Sequence, residues 1–201
     1  MKLYVTPGSP YARMASIMVL EKGLESRVEI IIAQTRLADS PYYRIIPSGR
    51  VPCLISDDGV RLEESALICA YLDHLDGNPE FDLPAGDQAW EARRLEGMAR
   101  SMLDGLSVWN RELSRPVHER SPTVILHEAD RSRRMADLWE REIDHALMRG
   151  AFNMAQLTLG CALGLEVRNP GFRWRPGRPK LRDWFAPIAE RPSFAATLPP
   201  S

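Results

Sequence analysis

The stretch Gly49-Arg50-Val51-Pro52-Cys53-Leu54-Ile55-Ser56-Asp57-Asp58-Gly59-Val60-Arg61-Leu62-Glu63-Glu64-Ser65 decides the fold. Two short apolar runs, Cys53-Leu54-Ile55 and Val60-Arg61-Leu62, flank Asp57-Asp58-Gly59, and Asp-Gly between such runs is a strong hairpin signal. Pro52 stands just before the first run, where its missing N–H is tolerated, because a proline within a sheet is confined to a strand start or an edge. Past the second run, Glu63-Glu64-Ser65 precede apolar residues at helical spacing: Leu67, Ile68, Tyr71, Leu72 and Leu75. The segment reads strand, strand, helix.

Toward the N-terminus, Leu3-Tyr4-Val5 is an apolar run stopped by Pro7-Gly8, and Val28-Glu29-Ile30-Ile31-Ile32 is a second, β-branched one. Both are expected to be buried strands. Between them, Ser9-Pro10 has the form of an N-cap followed by proline at the first helical position, Ala15, Met18 and Val19 give an apolar face, and Lys22-Gly23 gives a stop. A polar stretch with Pro41 and Pro47 then connects to the hairpin. The order is β-α-β, a connection, then β-β-α.

From Gly77 to Gly86 the composition is that of a linker. Beyond it the period changes. Leu95, Met98, Met102, Leu106, Trp109 and Leu113 recur at three- and four-residue steps with nothing strand-like between them. Ser121-Pro122 opens another helix with Met135, Leu138 and Ile143 on one face, a third begins at Met154, and Leu181–Ile188 is a short last one expected to break or bend at Pro187. The predicted fold class is therefore an α/β N-terminal domain (βαβ-ββα) over residues 1–78, a linker over 79–86 and an all-α helical domain over 87–201.

Charge and cysteine count narrow the function. With 26 Lys+Arg against 27 Asp+Glu in 201 residues, a general nucleic-acid binder is disfavoured, since phosphate contacts demand a basic surface. Three cysteines, at 53, 69 and 161, give an odd count without a CxxC pair, so neither a disulfide framework nor a four-ligand zinc site is readable. The apolar run at the N-terminus is too short for a signal peptide and no uncharged run has membrane-spanning length, so a cytoplasmic protein without membrane or nucleic-acid partners is expected.

Three local features carry chemistry. Val51, extended before Pro52, can offer its N–H and C=O to a peptide-like ligand in the manner of an added strand, although an ordinary turn proline is the commoner meaning of such a dipeptide. Glu64-Ser65 place a carboxylate and a hydroxyl at a helix N-terminus, where backbone N–H groups attract anions; a simple cap is commoner. Ser9, also a cap candidate, can donate a hydrogen bond to a thiolate while the helix dipole favours the anion.

The order and spacing of these features resemble one family. Ser9-Pro10-Tyr11-Ala12-Arg13, then Pro47-Ser48-Gly49-Arg50-Val51-Pro52-Cys53-Leu54, then Leu62-Glu63-Glu64-Ser65 with Ile68-Cys69-Ala70-Tyr71-Leu72, are similar to the N-terminal half of cytosolic glutathione S-transferases, in a bacterial, serine-type form. Leu181-Arg182-Asp183-Trp184-Phe185 through Arg191-Pro192-Ser193-Phe194-Ala195-Ala196-Thr197 resembles the family's closing helix and tail. The resemblance implies a thioredoxin-like glutathione-binding domain, a helical domain, glutathione as co-substrate without a metal, a role in detoxification and usually a homodimer. By it, Val51 pairs with the cysteinyl backbone of glutathione, Pro52 is cis, Glu64 and Ser65 hold the γ-glutamyl end, and Ser9 faces the sulfur; Arg50 is within reach of a carboxylate, although a solvated loop arginine is the commoner meaning. A serine there favours thiolate attack on a small hydrophobic electrophile over disulfide reduction, which needs a cysteine able to form a mixed disulfide. Tyr11, with Met102, Leu106 and Trp109 on the first long helix, are the candidate walls of the electrophile pocket. The alternatives are a non-enzymatic binding or regulatory protein of this fold and a glutathione-dependent thiol-disulfide reductase.

The chain departs from the family pattern twice. Asn153 and Gln156 stand where a Ser or Thr and an Asp form a capping box, and they are expected to cap reciprocally without the charge. Ile45-Ile46-Pro47 lacks the polar Asn usual before the proline, which implies a missing local backbone hydrogen bond. Tyr4, where other branches carry a catalytic tyrosine, ranks below Ser9. His74, His118, His127 and His145 show no ligand spacing, Cys53 and Cys69 read as inert buried thiols, and the Arg-rich 168–182 segment reads as a solvated loop packed by its tryptophan.

Overall fold

The computed structural model describes residues 1–81, 86 and 89–199. Four strands form one sheet in the order β2-β1-β3-β4: β1 (Lys2–Val5), β2 (Glu29–Ile32), β3 (Cys53–Ile55) and β4 (Arg61–Glu63), with β1 parallel to β2 and antiparallel to β3, and β3 antiparallel to β4. Helix α1 (Pro10–Glu21) makes the crossover between the parallel pair, a single turn α2 (Tyr42–Ile45) lies in the connection, and α3 (Ser65–His74) follows β4. The regular elements that follow among the described residues are helices: α4 (Ala89–Leu113), α5 (Pro122–Glu142), α6 (Ala146–Arg149), α7 (Met154–Leu163), α8 (Pro179–Ala189) and α9 (Pro192–Ala196). This is the expected thioredoxin-like α/β domain followed by an all-α one.

The chain divides into two compact units, one made of Met1–Asp82 with Ser193–Pro200 and the other of Leu83–Pro192. Residues 82–85 of the expected linker, and residues 87 and 88 at the expected start of the helical domain, lie outside the described residues.

In the first unit, Ser9 is the N-cap of α1 at φ −86 and ψ 116, its Oγ accepts from the Ala12 N–H at 3.2 Å, and Gly23 stops the helix at φ 60. Arg13, one turn on, is buried; its guanidinium donates to the Phe194 carbonyl at 3.0 Å and to Thr197 Oγ1 at 3.3 Å and lies over the Phe194 ring at 5.1 Å. Ser193 Oγ donates to Glu21, so the tail is tied to α1 at both ends. One burial expectation fails. β1 is buried beyond its first residue, but β2 occupies an edge of the sheet, where Ile30 is 47% and Ile32 61% exposed.

In the second unit, α4 packs on α5 and α7. Helix α8 runs on through Pro187 to Ala189 without the expected break. At α7, Asn153 Oδ1 accepts from the N–H groups of Ala155 and Gln156, but the second half of the box takes another form. Gln156, buried, turns its amide back and donates to the Leu147, Ala151 and Gly150 carbonyls at 2.9, 2.9 and 3.3 Å. In the Arg-rich segment, Trp174 is buried, with Nε1 on the Leu163 carbonyl at 3.2 Å, and Arg175 stacks 4.5 Å over its ring.

Candidate functional site

Strand register brings three sequence features to one end of the sheet. Tyr4 pairs with Cys53, and Cys53 with Glu63, which puts one residue from each of β1, β3 and β4 in a single row. Because β1 runs against β3 and β3 against β4, the chain leaves β1 toward Ser9, enters β3 from Val51-Pro52, and leaves β4 into Glu64-Ser65, all beyond that row. With strands about 4.8 Å apart the row spans roughly 10 Å, the reach of an extended tripeptide at about 3.3 Å per residue.

Each element presents backbone or side-chain groups to this end. The Val51–Pro52 peptide bond is cis, and neither the Val51 N–H nor its C=O has a hydrogen-bond partner among the described residues. Glu64 is the one non-glycine among the described residues with positive φ, at φ 75 and ψ 120. Such a conformation costs on the order of 1–3 kcal/mol and persists only where its surroundings impose it, which is common at binding sites. Glu64 is exposed, makes no side-chain cap bond and has no ion-pair partner among the described residues; Ser65 beside it is buried. The first turn of α1 carries no acidic side chain, so the positive end of its dipole is not offset there, whereas α3 has the Glu64 carboxylate at its N-cap and none within its first turn.

Ser9 is half-buried. Its oxygen is engaged by the Ala12 N–H, and its O–H has no acceptor among the described residues, so the hydroxyl is a donor at a positive helix end. Tyr4 is buried in an apolar cluster with Ala33, Tyr42, Ile46 and Cys53, against which Val51 packs. Burial foremost, with the Glu63 charge, pushes the Cys53 thiol up to about 11, and Cys69 and Cys161 are equally buried. Among the described residues no group of three or more His, Cys, Asp or Glu is placed to hold a metal ion, and no helix is long and apolar enough to cross a membrane.

The electrophile-pocket candidates fall in different units. Tyr11 is half-buried in the first; Met102, Leu106 and Trp109 belong to the second, where all three are buried on α4 and the Trp109 ring edge closes on Gly171. Met102 and Leu106 are taken up by packing, whereas Trp109 also lines a cavity with Phe172, Trp174 and Arg178 inside the second unit. Arg50 is exposed, with its N–H donating to Ser48 Oγ at 3.2 Å.

Two contributors went unread in the sequence. Tyr42 donates its phenol to the Arg50 carbonyl at 2.6 Å, and Ser48 Oγ donates to the Glu63 carboxylate, joining the loop before Val51 to the strand before Glu64. Ile46 is buried in the apolar cluster. Tyr-Tyr in a one-turn helix has no periodicity to betray it.

A family model for the glutathione S-transferase N-terminal domain matches residues 8–75. The chain is 30% identical to the uncharacterized GST-like protein YibF of Escherichia coli (strain K12) over 203 residues, covering 100% of this chain and 99% of that protein. A crystal structure of a glutathione transferase family member from Pseudomonas fluorescens Pf-5 with bound glutathione matches with a TM-score of 0.87 at 31% identity, over 100% of this chain and 99% of that one. A glutathione S-transferase from Methylobacillus flagellatus KT with GSH bound gives 0.85 at 28% identity, over 99% of each chain.

Proposed function

Because the chain belongs to the glutathione S-transferase family, we propose that it is a glutathione transferase that binds glutathione at the open end of the sheet and directs its thiolate at a small hydrophobic electrophile. The Val51 N–H and C=O pair with the cysteinyl backbone. The Glu64 carboxylate meets the γ-glutamyl ammonium, and Ser65 with the α3 N-terminus receives its carboxylate. The observation that carries the reading is the pair of unpartnered Val51 backbone groups at one end of a three-strand row whose length suits a tripeptide. The relative from Pseudomonas fluorescens, with its bound glutathione, adds support.

The chemistry follows from Ser9. The bound thiol gives its proton to water, and the sulfur anion accepts the Ser9 O–H at the positive end of α1. The thiolate then attacks the electrophilic carbon, a C–S bond forms, and the leaving group departs with its electron pair. Disulfide reduction is disfavoured, because an oxygen at position 9 forms no mixed disulfide and the three thiols are all buried.

Calorimetric titration with glutathione tests binding, and a conjugation assay with a generic aryl halide tests turnover. Saturable heat together with conjugate formation is the expected result. Heat without turnover favours the non-enzymatic reading, and no heat overturns the glutathione site.

A further inference from the structure

We propose that Tyr42 is a positioning residue for glutathione: its buried phenol holds the Arg50 carbonyl and thereby aims the Val51 N–H. The inference rests on the glutathione reading above and adds to it the residue that sets the geometry of its central contact.

A peptide unit is planar, so the Arg50 C=O and the Val51 N–H are opposite ends of one rigid plate. Whatever fixes the oxygen fixes the direction of the N–H. Tyr42 grips that oxygen at 2.6 Å from a side chain that is only 4% exposed, with its ring 5.4 Å from that of Tyr4 and its own N–H donating to Ser40 Oγ at 3.2 Å. Desolvation raises the phenol above its ordinary range, so it remains a neutral donor throughout any working pH. Val51 packs against the same cluster, so ring and backbone move together.

The rest of the loop is built to transmit that hold. The Arg50 N–H donates to Ser48 Oγ at 3.2 Å, Ser48 Oγ donates to Glu63, and the Gly49 N–H donates to the Ile46 carbonyl at 3.0 Å. Gly49 sits at φ +64, and a Cβ there would meet the Tyr43 ring at 2.7 Å, so the loop lies flat on α2 only because position 49 has no side chain. The Ile46 side chain is apolar, so Tyr42 and Ser48 are the side chains whose hydrogen bonds set which way the Val51 N–H points.

The test is Tyr42→Phe, which keeps the ring and removes the O–H. Losing one hydrogen bond should raise the glutathione Kd about threefold to tenfold. Turnover at saturating glutathione and its pH profile should be unchanged, because Ser9 is untouched. The backbone amide signal of Val51 should shift in the free protein and respond less to glutathione. A purely structural role would instead lower the active fraction, reducing kcat at constant KM, and that result overturns the proposal. So does a folded Tyr42→Phe protein with a Kd within about twofold of the parent, or an equal weakening in Tyr43→Phe, whose phenol is bonded to the Thr35 carbonyl. If Tyr42→Phe does not fold, Ser48→Ala at its exposed position decides: weaker glutathione binding upholds the positioning network, and unchanged binding overturns it. A parent protein that fails to bind glutathione overturns the site reading itself, and this inference with it.

Discussion

Replacing Ser9 by alanine removes two things at once, and they can be separated. The first is the cap on α1, where Ser9 Oγ accepts from Ala12 at 3.2 Å; its loss costs about 1 kcal/mol. For a chain of 201 residues, an unfolding entropy near 0.4 kcal/mol/K makes that a fall in Tm of about 2–3 °C. The second is the hydrogen bond to the thiolate. A bond to a charged group is worth about 1.5–3 kcal/mol, or about one to two units of thiol pKa. If Ser9 and the α1 dipole bring the bound thiol from about 8.5 to about 6.5, the variant returns it to roughly 7.5–8.5. Near pH 6.5 the thiolate population then falls from about half to between about 9% and 1%, whereas near pH 9 both proteins are mostly ionised. The ultraviolet absorbance of the bound thiolate, followed against pH alongside kcat, reads this directly. Ser121 supplies the internal control: it caps α5 through the Val124 N–H at 3.3 Å and is likewise followed by proline, but lies in the helical unit. Ser121→Ala should lower Tm by a similar amount without moving the thiolate titration. A Ser9→Ala protein with an unmoved titration, or with a deficit equal at both pH values, would refute the role given to the hydroxyl.

Glu64→Gly should separate stability from binding: freed from its positive φ, the backbone should gain about 1 kcal/mol in chemical denaturation, while glutathione affinity falls at least tenfold with loss of the carboxylate. A Glu64→Gly protein less stable than the parent would contradict the strain assigned there. Gln156→Ala removes the donor to the Gly150 carbonyl and one of two donors to the Leu147 and Ala151 carbonyls, which keep Asn153 Nδ2 at 2.8 and 3.1 Å, and should cost about 1–3 kcal/mol in urea unfolding, with activity per folded molecule retained. The three buried cysteines, Cys53 with its thiol raised to about 11, should resist a thiol-specific chromophore in the native protein and all react in denaturant; rapid native labelling of Cys53 would reopen the reductase alternative.

What was legible in the sequence was what is local in the chain. The Ser9-Pro10 start of α1 is set by the conformational preferences of two adjacent residues, and the β3–β4 hairpin by Asp-Gly. Both appear where expected, and the α4 stripe is likewise visible because a 25-residue helix gives its period time to repeat. What escaped depends on partners distant in sequence. The three isoleucines of Glu29–Ile32 look like a strand buried on both faces, yet whether a strand is central or at the edge follows from sheet order, which its own residues do not encode. Gln156 reads as half a capping box until the 147–151 carbonyls come within reach of its amide. At the site, Ser9, Val51 and Glu64 could be named in advance because each carries its chemistry in one or two residues. The hold of Tyr42 on Arg50 could not, because a loop closure eight residues long has no signature in composition.

The bond from Arg13 to Phe194 joins residues 181 positions apart. At a synthesis rate of about 5–20 residues per second, roughly 10–35 s separate the appearance of the two partners on the ribosome. Throughout that interval α1, the helix that begins at Ser9, carries a buried-type guanidinium whose acceptors have not yet been made, while the whole helical unit is being synthesised. The packing of this unit thus closes only after the helical unit has been synthesised, when Phe194 and Thr197 become available to Arg13. Co-translational completion of this unit therefore waits on the synthesis of the intervening helical segment.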